Sequence, residues 1–352
     1  MATTRTDDLT GPAAAKFFTK QWLPQGKPRA ALLFVHGFIE RVERYDHVFP
    51  KYAEQGIAVF AFDQRGFGKT ATYTPKHTQG VTSWPEQFGD IDHFLEHALG
   101  LFPGVPFFLY GHSMGGALVL GYATRTPPRP LVGRLAGIVS SSPLLRQSKG
   151  VKAPALIVRA GSLIGKLSGA LTLKATVKPE DTCRDPAVQK AYAEDLLCKQ
   201  VGTFRGVGDM LLGGESIVSK DYQRFPKSLP LLVVHGEADK VTDCDASREF
   251  VDKVKKEVGA ADATFKSFPG FYHEMHNEPG DDKWVEINYV LDWVTSHIPS
   301  PTSSAPAPAS ASTPAATTTS AAAAPSSSTA VAEDDASATA AAQAGAERTS
   351  KL

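Results

Sequence analysis

Residues 105–120, Val105-Pro-Phe-Phe-Leu-Tyr-Gly-His-Ser-Met-Gly-Gly-Ala-Leu-Val-Leu120, leave a chain few ways to fold. Phe107 to Tyr110 is a short apolar run of the length and composition of a buried strand. Gly116 to Ala123 reads as a tightly packed helix. Between them stands Gly111-His112-Ser113-Met114-Gly115, a G-x-S-x-G match in the strand–turn–helix setting that this motif requires. A serine on so sharp a turn takes a strained backbone, and side chains at the flanking glycines would strike the adjoining strand or helix. The turn lifts the Ser113 hydroxyl clear of the sheet, above the positive end of the following helix. Ser113 is therefore the candidate nucleophile.

Charge narrows the function class. The 352 residues carry 37 basic and 37 acidic side chains, for a formal net charge of zero. There is no Lys/Arg block with interleaved aromatics, so no nucleic-acid partner is expected. The three cysteines, Cys183, Cys198 and Cys244, are odd in number and share no metal spacing, as in a reduced, intracellular protein. Residues 1–11 have no apolar core of a secretory leader. Ala98 to Thr124 lacks Asp, Glu, Lys and Arg, but Pro103, Pro106 and several glycines break it too often for a membrane span. A soluble protein is expected, not a secreted one.

From about Pro299 the composition turns to Ala, Ser, Thr and Pro, which cannot bury enough apolar surface to offset the entropy of ordering it. Residues 301–352 are expected to be a disordered tail. It ends in Ser350-Lys351-Leu352, the tripeptide read by the peroxisomal import receptor, so that receptor is an expected partner and the peroxisome an expected location. Without that address, the cytoplasm or a lipid-droplet surface is expected.

Residues 1–300 are expected to form the folded part. Lys16 to Trp22 looks like an early edge strand, while Ala30–Val35 and Ile57–Phe62 are continuous apolar runs, as in strands covered on both faces. Val42 to Gln55 is helix-like, with Gly56 as its stop. Pro85 to Leu99 has helical periodicity, Leu135 to Val139 is another strand, and Pro230–His235 and Ala263–Phe268 follow as strands. Ser247 to Val258 and Asp282 to Ile298 read as the last helices. This alternation predicts an α/β fold with a mostly parallel central sheet and helices on both faces.

The alternation breaks between about 141 and 226, where a helical insertion without a clear strand is expected. Within Pro154 to Val177, Ala160, Leu163, Ile164, Leu167 and Leu171 share one helical face, and Gly161, Gly165 and Gly169 the other. Such glycines weaken a helix by about 1 kcal/mol each. A helix packed on the domain and a mobile lid with an apolar underside both explain the pattern.

A serine hydroxyl needs a neutral imidazole to take its proton, and that imidazole needs an acid to fix its tautomer. In this architecture the chain order is Ser, acid, His. Of ten histidines, His273, His276 and His297 follow the candidate acids. His297 closes the last helix as a cap. His273 lies just after the last strand and is chosen, with His276 second. Asp239, in the turn after the Pro230–His235 strand, is the acid, with Glu237, Asp243 and Asp245 as rivals. The oxyanion donors expected are the backbone N–H groups of Met114 and of Phe38, which Gly37 turns inward after His36.

These residues resemble the α/β-hydrolase superfamily and, within it, the monoacylglycerol lipase branch of serine aminopeptidase S33-like hydrolases, in its fungal form. The shared pattern is His36-Gly-Phe-Ile-Glu40 with Arg44-Tyr45, Asp63-Gln-Arg-Gly-Phe-Gly68, Gly111 to Gly116, His235-Gly-Glu-Ala-Asp239, His273-Glu-Met-His-Asn-Glu278 and, in the insertion, Arg184-Asp-Pro-Ala-Val-Gln-Lys-Ala-Tyr192. It spans nearly all of residues 16–298. Ile39, where a small residue is usual, and Leu196-Leu197, which follow Asp195 where proline is common, depart from it.

The resemblance implies an α/β-hydrolase fold with a helical cap, and a serine hydrolase that cleaves monoacylglycerols to fatty acid and glycerol through an acyl-enzyme. Ser113, Asp239 and His273 would react, and His36, Gly37, Glu40 and Arg44 would support the oxyanion loop. Leu163, Ile164, Leu167 and Leu171 would line the acyl pocket, and the cap rim could rest on a lipid surface. No cofactor and no metal are implied. Rival readings are another carboxylesterase, a lysophospholipase or a peptidase on the same triad, and a hydrolase-fold ligand receptor with little turnover.

Overall fold

In the computed structural model of the chain, residues 2–73, 79–151 and 155–299 are described. The strands are β1 (Thr3–Thr10), β2 (Lys16–Leu23), β3 (Ala30–Val35), β4 (Ile57–Phe62), β5 (Phe107–His112), β6 (Gly137–Ser141), β7 (Thr172–Lys174), β8 (Val201–Thr203), β9 (Leu231–Gly236) and β10 (Ala263–Phe268). The helices are α1 (Phe49–Glu54), α2 (Thr70–Tyr73), α3 (Trp84–Leu101), α4 (Met114–Thr124), α5 (Ala155–Leu167), α6 (Pro186–Glu194), α7 (Phe204–Ser219), α8 (Cys244–Lys253) and α9 (Asp282–Ser296). The chain divides into a unit of Met1–Ser303 and a second of Ser304–Leu352. The second unit lies outside the described residues, and with it the expected tail and Ser350-Lys351-Leu352.

Eight strands form one sheet in the order β1-β2-β4-β3-β5-β6-β9-β10. The β4-β3-β5-β6-β9-β10 block is parallel, and β1 and β2 add an antiparallel flank. The apolar runs are continuous because both faces are covered. Ala31, Leu33 and Val35 of β3 enter one core with α3, α4 and α8, while Ala30, Leu32 and Phe34 enter the other with α1 and α9. Each such leucine or phenylalanine gains roughly 1.5–3 kcal/mol on full burial.

Three expectations change. Lys16 to Trp22 is not an edge strand, because β1 pairs with all of β2 and takes the edge. β1 is largely exposed, so it carries no apolar signal, and its charges deter further pairing. The helix expected over Val42 to Gln55 is a 3₁₀ turn at Val42–Tyr45 followed by the short α1. Here Asp63 accepts the Val42 N–H at 2.7 Å and fixes the turn from β4, a contact invisible to local pattern.

The insertion between β6 and β9 holds α5, α6 and α7 and also a strand pair, β7 with β8, where none was expected. Both strands have only three residues, too short for an alternating signal. Leu171 accordingly falls outside α5. Among the described residues, no helix is long and apolar enough to cross a membrane.

Candidate active site

β5 delivers Ser113 at its C-terminal end, with φ 56° and ψ −118°. The turn is tight enough that a Cβ at Gly111 would stand 2.2 Å from the Gly115 carbonyl oxygen, and one at Gly115 would stand 2.0 Å from that of Val35. Hydrogen bonds hold the strained residue: the Ser113 N–H donates to Ser141 at 2.9 Å, and its carbonyl accepts from Leu144 and Ala117, each at 3.0 Å.

The loop after β10 brings His273 to Ser113, with Nε2 2.9 Å from Oγ. The other ring nitrogen, Nδ1, lies 2.7 Å from Asp239 Oδ2. Asp239 in turn accepts the N–H groups of Val241 and Thr242 on Oδ1, at 2.7 and 2.9 Å, and the Thr242 hydroxyl on Oδ2 at 2.7 Å. Burial opposes ionisation of Asp239, but the adjacent His273 and the hydrogen bonds from His235 and His273 outweigh it and hold the carboxyl far below the usual range. Burial also opposes charge on His273, and there the Asp239 carboxylate wins, raising the imidazole above its ordinary 6.5. The ion is thus favoured at Asp239, and its charge favours the protonated form of the imidazole beside it.

His276, the second choice for the base, is buried elsewhere. Its ring stacks on Tyr45 and packs edge-on to His112, and burial keeps it neutral. Glu237 binds the Ser267 hydroxyl, and Asp243 caps α8, so neither rival acid reaches His273. Asp245 accompanies Asp243 in the first turn of α8. His297 closes α9, its ring on the Trp293 carbonyl at 2.7 Å.

The loop His36–Glu40 lies over the serine, with a Cβ on Gly37 placed 3.0 Å from that of Ser113. His36 donates from Nδ1 to the Gly37 carbonyl at 2.8 Å and accepts the Gln64 N–H on Nε2 at 2.8 Å. Glu40 accepts the Gly37 N–H at 2.9 Å and the Tyr45 hydroxyl at 2.7 Å. Arg44 reaches beyond this loop. It bonds Glu274, beside His273, and its guanidinium covers the ring of Tyr192 in the cap, 4.5 Å from the centroid. Among the described residues the Phe38 N–H meets no acceptor, and the Met114 N–H is one of the donors that a helix start leaves free of intrahelical partners. Met114 follows Ser113 in the chain, and Phe38 lines the same cavity as Ser113.

A cavity of about 350 Å³ opens on Ser113. Its walls are apolar, from Phe38, Leu144, Leu173, Val207, Met210 and Val241, and Lys174, Lys178, Asp181 and Lys240 add charge.

The sequence pattern of the serine aminopeptidase S33 family matches residues 26–280. The chain belongs to this family. It is 34% identical over 284 residues to a Schizosaccharomyces pombe protein provisionally named a monoglyceride lipase, covering 80% of this chain and 72% of that one. A monoacylglycerol lipase of Mycolicibacterium smegmatis is 30% identical over 300 residues, 85% of this chain and 100% of the relative. A solved monoglyceride lipase of Saccharomyces cerevisiae, in complex with a substrate analog, matches with TM-score 0.75 at 24% identity, over 84% of this chain and 96% of its own. The shared architecture is the α/β-hydrolase fold, with a large, mostly parallel sheet flanked by helices.

In this S33-family chain the cap residues picked from periodicity are not in the pocket. Leu163, Ile164, Leu167 and Leu171 all face outward, Leu167 at 90% exposure. Gly161 and Gly165 pack inward instead, while Gly169 lies beyond α5 in open space: a Cβ on Gly165 would stand 2.4 Å from the Arg205 nitrogen on α7. Backbone contact there requires the small residues, so the apolar stripe is turned to solvent. The lid reading with an apolar underside is thereby overturned. The pocket's cap wall comes from α7 and β7, which periodicity did not single out.

Sequence reasoning also passed over Thr242, Glu274, Glu278 and Arg184. Glu278 accepts the Tyr272 N–H at 2.6 Å and Arg184 Nε at 2.8 Å, tying the His273 loop to the cap. Glu278 and Arg184 lay within quoted motifs, yet their pairing across 94 positions had no local signature. Cys183 and Cys198 are buried free thiols, Cys183 pushed up to about 12 by burial, which suits packing rather than reactivity.

Proposed function

We propose that this chain hydrolyses monoacylglycerols to fatty acid and glycerol. The observation that carries the reading is the Ser113–His273–Asp239 line of hydrogen bonds at the floor of an apolar cavity. His273 Nε2 takes the Ser113 proton as Oγ attacks the ester carbonyl, and the resulting oxyanion is met by the N–H groups of Phe38 and Met114. His273 then protonates the departing glycerol, and a water activated by the same nitrogen releases the fatty acid from Ser113. The relatives named for this activity support the choice of substrate.

The test is glycerol release from long-chain monoacylglycerol, run beside short esters, lysophospholipid and N-terminal amides, with Ser113→Ala as control. Preference for monoacylglycerol, lost in Ser113→Ala, upholds the reading; preference for another class replaces it. Ligand binding with negligible turnover in the wild type would make the protein a receptor.

The outward face of α5 presents Leu156, Ile157, Leu163 and Leu167, flanked by Arg159 and Lys166, and we propose that it rests on a lipid surface. Leu163→Ser with Leu167→Ser should reduce sedimentation with anionic vesicles while sparing hydrolysis of a soluble ester. Where Ser350-Lys351-Leu352 stands at the free C-terminus, we propose that it directs the protein to peroxisomes. A fluorescent fusion with and without these residues tests it, an unchanged diffuse signal refuting it.

A further inference from the structure

The carboxylate of Asp239 serves two imidazoles. His273 Nδ1 lies 2.7 Å from Oδ2, and His235 Nε2 lies 3.1 Å from the same oxygen. An ionised carboxylate only accepts, so each ring nitrogen that faces it carries its proton. Both tautomers are thereby set, and the opposite nitrogens are left as acceptors. His273 Nε2 takes the hydroxyl of Ser113 at 2.9 Å; His235 Nδ1 takes that of Ser247 at 2.8 Å. Two serine–histidine arms therefore meet on one carboxylate oxygen. The arms differ in access. Ser113 lines the cavity, whereas His235 and Ser247 are both 0% exposed, so the second arm cannot meet a substrate.

We propose that His235, held in one tautomer by Ser247, is a positioning residue for the hydrolysis, fixing Asp239 Oδ2 and so the place and basicity of His273. The inference rests on the reading of Ser113, His273 and Asp239 as the reacting groups. Without His235, the partners left to Oδ2 among the described residues are His273 and the Thr242 hydroxyl, and that hydroxyl also lies 3.2 Å from the Ser142 carbonyl. The carboxylate is then freer to turn, which misplaces the imidazole. A neutral donor also draws charge from a carboxylate and weakens its pull on a neighbouring cation. Removing His235 concentrates that charge on His273, so a higher pH is needed to free the base. The titratable groups facing these imidazoles are Asp239, Glu274, Glu40, His112 and His276, with the Cys244 thiol at the start of α8 near Asp239. All are kept in the variants.

The experiment follows 4-nitrophenyl butyrate hydrolysis by the full chain across the neutral pH range, a soluble ester that leaves the choice of natural substrate aside. His235→Leu is expected to lose about tenfold in kcat at unchanged KM, with the acid limb of the rate profile moved to higher pH. His235→Gln, which retains an N–H able to reach Oδ2, is expected to recover both. Ser247→Ala is expected to shift both in the same direction by less.

Wild-type kcat and limb in His235→Leu overturn the proposal. So does a loss of kcat with an unmoved limb that His235→Gln fails to restore, the mark of a packing defect. If His235→Leu does not fold by circular dichroism, Ser247→Ala decides, and wild-type behaviour there overturns it. Undiminished hydrolysis by Ser113→Ala would instead remove the triad reading, whatever the His235 variants do.

Discussion

Ser113 keeps a left-handed φ that side-chain-bearing residues rarely adopt, at a cost of order 1–3 kcal/mol offset by its surroundings. The conformation aims the hydroxyl at His273, and two predictions follow from what holds that pair. His273 must be neutral to act as base, and its pKa lies above 6.5. The acid limb of kcat/KM is therefore expected to have its midpoint above 6.5, activity rising as pH rises through it; a midpoint below 6.5 in a pH–rate profile contradicts this. Glu40 carries the Gly37 N–H and Tyr45 hydroxyl of the oxyanion loop. Glu40→Ala should lower kcat about tenfold or more with little change in KM, and Glu40→Gln, which keeps an acceptor, should lose much less. Equal losses in steady-state assays would mean that charge, not loop geometry, matters. Ile39 is also left-handed, at φ 58°, and its fully buried side chain packs with Tyr192 and Cys198 of the cap. The departure from a small residue at this position thus joins the His36–Glu40 loop to the cap.

At the scale of elements, α5 is seated on α7 by absence of side chain. Gly165 abuts the Arg205 backbone and Gly161 the Phe204 ring, while Gly208 on α7 abuts Ser162. Gly165→Val must push the helices apart, since its Cβ would meet backbone at 2.4 Å. The expected result is faster limited proteolysis within the cap and a loss of roughly 1–3 kcal/mol in stability. Unchanged proteolysis and Tm would show that α5 is not held by this contact. Periodicity found the two faces of α5 but not their orientation. An apolar stripe ordinarily turns inward, and only the approach of the α7 backbone reverses that rule here. β1 was missed for the reverse reason: it is stabilised by pairing with β2 and buries little of itself.

At the scale of the folded unit, the sheet is sandwiched between two apolar cores, and several carboxyls are enclosed with it, Glu286 among them. Glu286 of α9 is fully buried beside Ser141, and burial raises its carboxyl from 4.5 to about 7. The folded protein then holds a proton that the unfolded chain releases between these values. The stability this allows is complete below 4.5 and declines as pH rises to about 7. Glu286→Gln should remove this contribution: its stability relative to wild type, followed as the difference in Tm, should rise from mildly acidic to mildly alkaline pH, by roughly 1–3 kcal/mol. Parallel Tm curves for the two proteins across that range would refute it.

The amino-acid sequence by itself determined the elements whose signal is local. Continuous apolar runs mark doubly covered strands, and the glycines around Ser113 mark a turn that tolerates no side chain. Ser113, Asp239 and His273 each follow a strand of the parallel block, whose C-terminal ends all face the same way. Tertiary structure decided what depends on residues far apart in the chain. It sent Arg44 to Glu274, turned the α5 leucines outward and brought His235 to the carboxylate already used by His273. A hydrogen bond across 160 positions leaves no trace in composition or periodicity, because its strength depends on distances that only the packed sheet and its loops establish.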